Sequence, residues 1–132
     1  MDIGLQRVYQ APPRKKSGVR VLVDRLWPRG IAKASAPWDE WDKDVAPSAE
    51  LRRWFAHDPS KWERFCTRYR RELDGEPEAV ERLLRLAARE KLTLMYAARD
   101  TEHNEAVVLR DYLLARALDA GSSSGQPTNP QS

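Results

Sequence analysis

Two short strings hold the residues best equipped for chemistry: Asp24-Arg25-Leu26-Trp27-Pro28-Arg29-Gly30 and Arg99-Asp100-Thr101-Glu102-His103-Asn104. Arginine presents a planar fork of donors that matches a carboxylate or a phosphate. Arg25, Arg29 and Arg99 are therefore the candidate anion binders. Asp24 and Asp100 can take up a proton, orient an arginine or bind a hydroxyl, which makes them the candidate catalytic residues. Gly30 permits a positive φ or a close approach of backbone to ligand. The stretch from Thr101 to Asn104 opens a helix, whose free N–H groups and partial positive charge favour an anion. There Asn104 offers hydrogen bonds, and His103 can move a proton near neutral pH. Together these residues point to a small anionic ligand, phosphorylated or nucleotide-like.

Plainer readings stand beside this one. An aspartate and an arginine that follow a strand commonly form a structural ion pair, and Asp100 is well placed to be the N-cap of the next helix. Trp27-Pro28 reads as a packed turn, and His57 as a helix C-terminal cap. Cys66, the single cysteine, falls in an apolar helical stripe and reads as a buried, inert thiol. The chain lacks GxGxxG, a P-loop, HExxH and GxSxG, so the corresponding nucleotide, zinc and esterase chemistries have no motif. No cofactor is expected. With two separated histidines and no cysteine cluster, neither is a metal.

The elements that must position these residues follow from apolar spacing and chain breakers. Ile3 to Tyr9 reads as a first strand, ended by the Pro-rich loop from Ala11 to Gly18. Val19 to Leu26 is the second strand, and its Val21-Leu22-Val23 run suggests burial on both faces. Residues 31–47 read as an irregular connection carrying Trp38 and Trp41. Ser48 caps a helix with Leu51, Trp54 and Phe55 inward. Asp58-Pro59 starts a second helix, with Trp62, Phe65, Cys66, Tyr69 and Leu73 as its stripe. Glu76-Pro77 starts a third, with Val80, Leu83, Leu84 and Ala87 inward. Leu92 to Ala98 is the later strand, and a last helix buries Ala106, Leu109, Leu113 and Ala117. This alternation predicts an α/β fold, a small and mostly parallel sheet flanked by helices, with α+β as the alternative. One domain spans 1–120, and the polar tail 121–132 is expected to be disordered. In open α/β sheets ligands bind beyond the carboxyl ends of the strands, so both polar strings would share that edge if their strands are parallel neighbours.

The chain has 132 residues, 41% of them hydrophobic and 33% charged, enough for one core and too polar for a membrane protein. Its start, MDIGLQRVYQ, lacks the apolar stretch of a signal peptide, so the cytoplasm is the expected compartment. The net charge of +3 is mildly basic. Only Arg14-Lys15-Lys16 forms a compact basic run, and no RNA-binding or zinc-finger motif accompanies it, so nucleic acid is not the favoured partner.

At VRVLVDRLWPRG and LTLMYAARDTEHNEAVVL the chain resembles the YeaO-like family of bacterial proteins, domain of unknown function 488. Trp38, the stretch APSAELRRWFAHDPSKWERFCTRYRREL and the spacing between the motifs match as well, over residues 3 to 118. The resemblance carries the family's signature onto Asp24, Arg25, Trp27, Pro28, Arg29 and Gly30, then Tyr96, Arg99, Asp100 and Asn104. It implies no particular reaction. Two functions are thus open: an enzyme acting on a small anionic metabolite, and a non-catalytic binding or regulatory module using the same residues.

Overall fold

The computed structural model describes residues 1–13 and 18–124, with side chains up to 119. Four strands, β1 (Ile3–Arg7), β2 (Val19–Leu22), β3 (Glu40–Trp41) and β4 (Leu92–Tyr96), form one sheet in the order β1-β4-β2-β3. Every pairing is parallel. Four helices accompany them: α1 (Ala49–Phe55), α2 (Trp62–Asp74), α3 (Pro77–Arg89) and α4 (Glu105–Ser124). The fold is α/β, with β4 held centrally between the two N-terminal strands.

Side-chain alternation along the central strands sorts the core into two layers. Val21, Val23, Leu94 and Tyr96 join the main core with Phe65, Tyr69, Leu83, Leu109 and Leu113 from the helices. Leu22 and Met95 point the other way, into a smaller cluster with Val8 and Trp38, edged by Trp27 and Trp41. The expectation of burial on both faces of β2 holds: Val21, Leu22 and Val23 are all shut off from solvent. Helices cover one face, and tryptophan-bearing loops cover the other.

Several sequence-based boundaries change. The first strand stops at Arg7, because Val8–Gln10 turns into a 3-10 helix that brings Val8 down onto the smaller cluster. The second stops at Leu22 instead of Leu26. Val23 still donates its N–H to Met95 O (3.0 Å), and the Asp24 carboxylate then takes the Ala97 N–H (3.0 Å) where a ladder bond would have continued. The fourth strand ends at Tyr96, for the same reason. Residues 31–47 are not wholly irregular. They contain β3, anchored by Asp39 N–H to Arg20 O (2.8 Å) and Asp42 N–H to Leu22 O (2.9 Å).

The helix readings hold in outline. Ser48 caps α1 by accepting from Leu51 N–H (3.0 Å). Asp58-Pro59 opens a 3-10 turn, Pro59–Lys61, that leads into α2. In α2 the stripe is Phe65, Cys66, Tyr69 and Leu73, while Trp62 is only half-buried, lying at the mouth of the aromatic row on Phe55 and Phe65. Leu84 is likewise half-buried and Leu86 takes its place in the core. α4 continues to Ser124, and the rest of the polar tail, like the Arg14-Lys15-Lys16 run, lies outside the described residues. No described helix is long and apolar enough to cross a membrane.

Candidate functional site at the carboxyl edge of the sheet

Because all four strands are parallel, their C-terminal ends open on one edge. The loops after β2 and β4, which are paired neighbours, emerge there side by side. Both polar strings contribute to a single cavity of about 940 Å³ on this edge, completed by the end of β1, by α1 and by the first turn of α4. A volume of this size suits a metabolite-sized ligand.

The β2 loop is fixed from several sides. The Asp24 carboxylate holds the Ala97 N–H, tying the β2 exit to the β4 exit, and the Asp24 carbonyl accepts from Trp41 Nε1 (2.7 Å). Arg25 turns to the loop before α1, donating from Nε to Pro47 O (2.8 Å). Trp27 donates from Nε1 to Ile31 O (2.6 Å), and its ring meets Trp38 and Trp41 edge-on at 4.8 and 5.5 Å. Tyr9 donates its hydroxyl to Arg29 O (2.8 Å). Gly30 takes φ +76°, a left-handed value that a side chain disfavours, in open space.

The β4 loop is a hydrogen-bonded turn. Asp100 accepts from the N–H groups of Glu102 (2.9 Å) and His103 (3.0 Å) and pairs with His103 Nδ1 (2.9 Å). Those backbone donors hold its carboxyl below the usual range. The His103 ring stands edge-on to Trp62 at 5.0 Å. The N-cap of α4 is Asn104 rather than Asp100: its Oδ1 accepts from Val107 N–H (3.1 Å), and its Nδ2 donates to Asp100 O (2.9 Å). Asp100 shapes the turn that delivers the cap. Tyr96 is buried behind this turn within hydrogen-bond reach of Asn104, and burial raises its phenol above the ordinary value.

Of the residues singled out from sequence, Asp24, Arg25, Trp27, Arg29, Arg99, Asp100, His103 and Asn104 all line the cavity. Tyr96 and Gly30 do not; they support it from behind and beside.

Residues that sequence reasoning passed over also line it, Arg7, Tyr9, Arg52, Arg53 and Glu105, together with His57, which it read as a helix cap. The tandem Arg52-Arg53 is a legible signal in retrospect, since a short helix closing over the strand ends must present part of its polar face to that edge. Arg7 donates from Nε to Ala98 O (2.9 Å), with its guanidinium 4.8 Å from the Tyr9 ring centroid. His57 does not cap α1. Ala56 is the C-cap, and both residues take left-handed φ values, +46° and +57°. The His57 ring instead lies against Phe55 (6.1 Å).

The electrostatics of the cavity are uneven. Six arginines line it (7, 25, 29, 52, 53 and 99). Arg7 and Arg25 are occupied by backbone carbonyls, and Arg52 acts on Glu105 through its charge. Arg29, Arg53 and Arg99 are exposed and have no ion-pair or side-chain hydrogen-bond partner among the described residues. Against them stands Glu105. Its Oε2 is sealed from solvent with no hydrogen-bond donor, although the residue as a whole keeps some surface. Burial, and after it the adjacent Asp24 charge, pushes the Glu105 carboxyl well above the ordinary glutamate range. Among the described residues no three metal-ligating side chains converge.

The family whose description reads "Inactive DUF488-N3 subclade" matches residues 2–132. The chain belongs to the DUF488 family. Its similarity to "Uncharacterized protein YeaO" of Escherichia coli (strain K12) is 43% identity over 113 residues, covering 86% of this chain and 97% of that one. "Uncharacterized protein Rv3073c" of Mycobacterium tuberculosis (strain ATCC 25618 / H37Rv) is 42% identical over 99 residues, covering 75% of this chain and 83% of that protein. No solved structure matches. The DUF488 assignment agrees with the YeaO-like resemblance read from the two motifs.

Proposed function

We propose that this DUF488 chain binds a small anionic metabolite, phosphorylated or nucleotide-like, in the cavity at the carboxyl edge of its sheet. One observation carries the reading: Arg29, Arg53 and Arg99 reach one cavity from three separate elements without an acidic partner among the described residues. Structural arginines are normally paired with carboxylates or carbonyls, as Arg7 and Arg25 are here, so three unpaired guanidiniums around a concave site suit an anion supplied from outside. Trp27, His103 and Asn104 wall the site, and Arg25 and Gly30 set the loop that carries Arg29. The lone, buried Cys66, whose thiol burial pushes up, suits a reducing cytoplasmic setting.

Binding without turnover fits the site better than catalysis. Asp100 has given its carboxylate to the turn, and the word "Inactive" in the matching family's description leans the same way. The enzymatic alternative rests on Asp24 and Glu105, two carboxyl side chains from separate elements that both line the cavity. Detection of product from a bound phosphate ester, lost in Asp24→Asn, would establish it.

A thermal-shift panel of phosphates, nucleotides and carboxylates tests the binding proposal. A ligand at a hundred times its dissociation constant adds about 2.7 kcal/mol to the native state. Arg29→Ala and Arg99→Ala should melt with the wild type when free, because exposed unpaired charges contribute little to stability, and should lose the ligand-induced shift. A panel in which no anion stabilises the wild type, or variants that respond as the wild type does, would refute it.

A further inference from the structure

Among the described residues the large apolar side chains left exposed are Met1, Tyr9, Leu26 and Leu118. Met1 is the first residue and Leu118 lies toward the end of α4, and single exposed apolar residues of that kind are ordinary. Tyr9 and Leu26 are different. They are 44% and 58% exposed, follow two different strands, and line the same cavity as Arg29, Arg53 and Arg99. Both are held firmly. On either side of Leu26 the chain is pinned, with Arg25 Nε donating to Pro47 O (2.8 Å) and Trp27 Nε1 to Ile31 O (2.6 Å). Tyr9 is fixed by its hydroxyl on Arg29 O (2.8 Å), and the Arg7 guanidinium lies 4.8 Å from its ring centroid. The bond to Arg29 O joins the tyrosine to the loop that carries both Leu26 and Arg29. An apolar pair and a guanidinium without an acidic partner thus belong to one fixed shelf on the cavity wall.

We infer that the ligand is a nucleotide, whose phosphate lies against the arginines and whose base lies against Tyr9 and Leu26. This rests on the anion-binding reading of the same cavity and adds the chemistry of the other end of the ligand. Apolar surface held open to water gains by being covered. Because the shelf is already fixed, little ordering is lost when a ligand covers it. A sugar phosphate, hydroxylated throughout, would leave Tyr9 and Leu26 as bare as before. A base has the flat face that stacks on an aromatic side chain, whatever its sequence of polar groups. The cavity of about 940 Å³ is larger than a simple aryl phosphate fills, and a ribose between base and phosphate supplies the reach from the shelf to the arginines.

The probes are AMP and ribose 5-phosphate, which share the sugar and the phosphate and differ by the base. Calorimetric titration of the full chain should show AMP binding at least roughly ten-fold tighter, the scale of one base stacked on an aromatic ring. Leu26→Ser should narrow that difference by weakening AMP, whereas Leu26→Met, which keeps an apolar surface of similar size, should preserve it. Equal affinity of the wild type for the two compounds would overturn the inference and leave the anion site standing, and that comparison needs no variant. An undiminished preference in Leu26→Ser, or its loss in Leu26→Met, would also overturn it, because the base would then lie elsewhere. Failure of both compounds to bind would remove the anion-binding reading itself.

Discussion

At the scale of single residues, Glu105 has the clearest measurable signature. Burial and the Asp24 charge raise its carboxyl well above the ordinary value of 4.5, so the folded chain keeps a proton that the unfolded chain releases. Stability should therefore fall as pH rises from the ordinary glutamate value toward the raised one, at about 1.4 kcal/mol for each unit of separation. Asp58 and Asp100 have the opposite sign. Hydrogen bonds, from Ser60 to Asp58 and from the Glu102 and His103 N–H groups to Asp100, lower their carboxyls below 3.8. What they contribute is complete above that value and is lost only as acid approaches their folded values. Urea unfolding of the wild type and Glu105→Gln at pH 5 and pH 8 separates the effects. The wild type should lose stability over this interval relative to the variant, and parallel behaviour of the two proteins would show that Glu105 is ionised in the folded chain. Tyr69 is another residue defined by burial: its hydroxyl donates to Val45 O within the core, and its phenol is pushed far up. It works as a structural tie between α2 and the loop before α1.

At the scale of elements, Asn104 links the fold to the site. Both ends of its amide are engaged, one capping α4 and the other holding the Asp100 turn. Asn104→Ala should cost about 1–2 kcal/mol in chemical unfolding, the range for loss of a helix N-cap. Asn104→Ser should recover part of this, since a hydroxyl caps well but cannot also reach Asp100 O. No loss in either variant would mean that α4 is capped by another group. The reach of sequence reasoning differs from element to element. β2, β4 and the four helices were legible because each carries its own apolar period, and the two motifs were legible because strand ends are where an α/β sheet places its ligands. β3 was not, since two residues leave no periodicity and its pairing is set by Arg20 and Leu22 from another part of the chain. Glu105 escaped because an acidic residue in the first turn of a helix is ordinary at the surface; only the proximity of Asp24, eighty-one positions earlier, makes it unusual. Trp62 shows the limit of a stripe. Its spacing fits the core face, yet at the start of α2 that face has already reached the cavity rim, where the ring meets His103.

At the scale of the whole molecule, the sheet order β1-β4-β2-β3 places the last strand of the sequence between the first two. About seventy residues separate the end of β2 from the start of β4. Until β4 is present, β1 and β2 have no common partner: β1 pairs only with β4, and β2 otherwise has only the two residues of β3. Such long-range parallel pairing folds slowly, because the loop must close before any contact rewards it. A chain ending at Glu90 should therefore remain largely unfolded by circular dichroism and amide exchange, with neither cavity nor main core; a cooperative melting transition in that fragment would contradict this. The timing of synthesis acquires meaning here. At ribosomal speeds of about 5–20 residues per second, the N-terminal strands emerge several seconds before the strand that joins them. During that interval the backbone donors and acceptors that β4 will meet have no partner within the chain, the condition in which a strand edge pairs with another molecule.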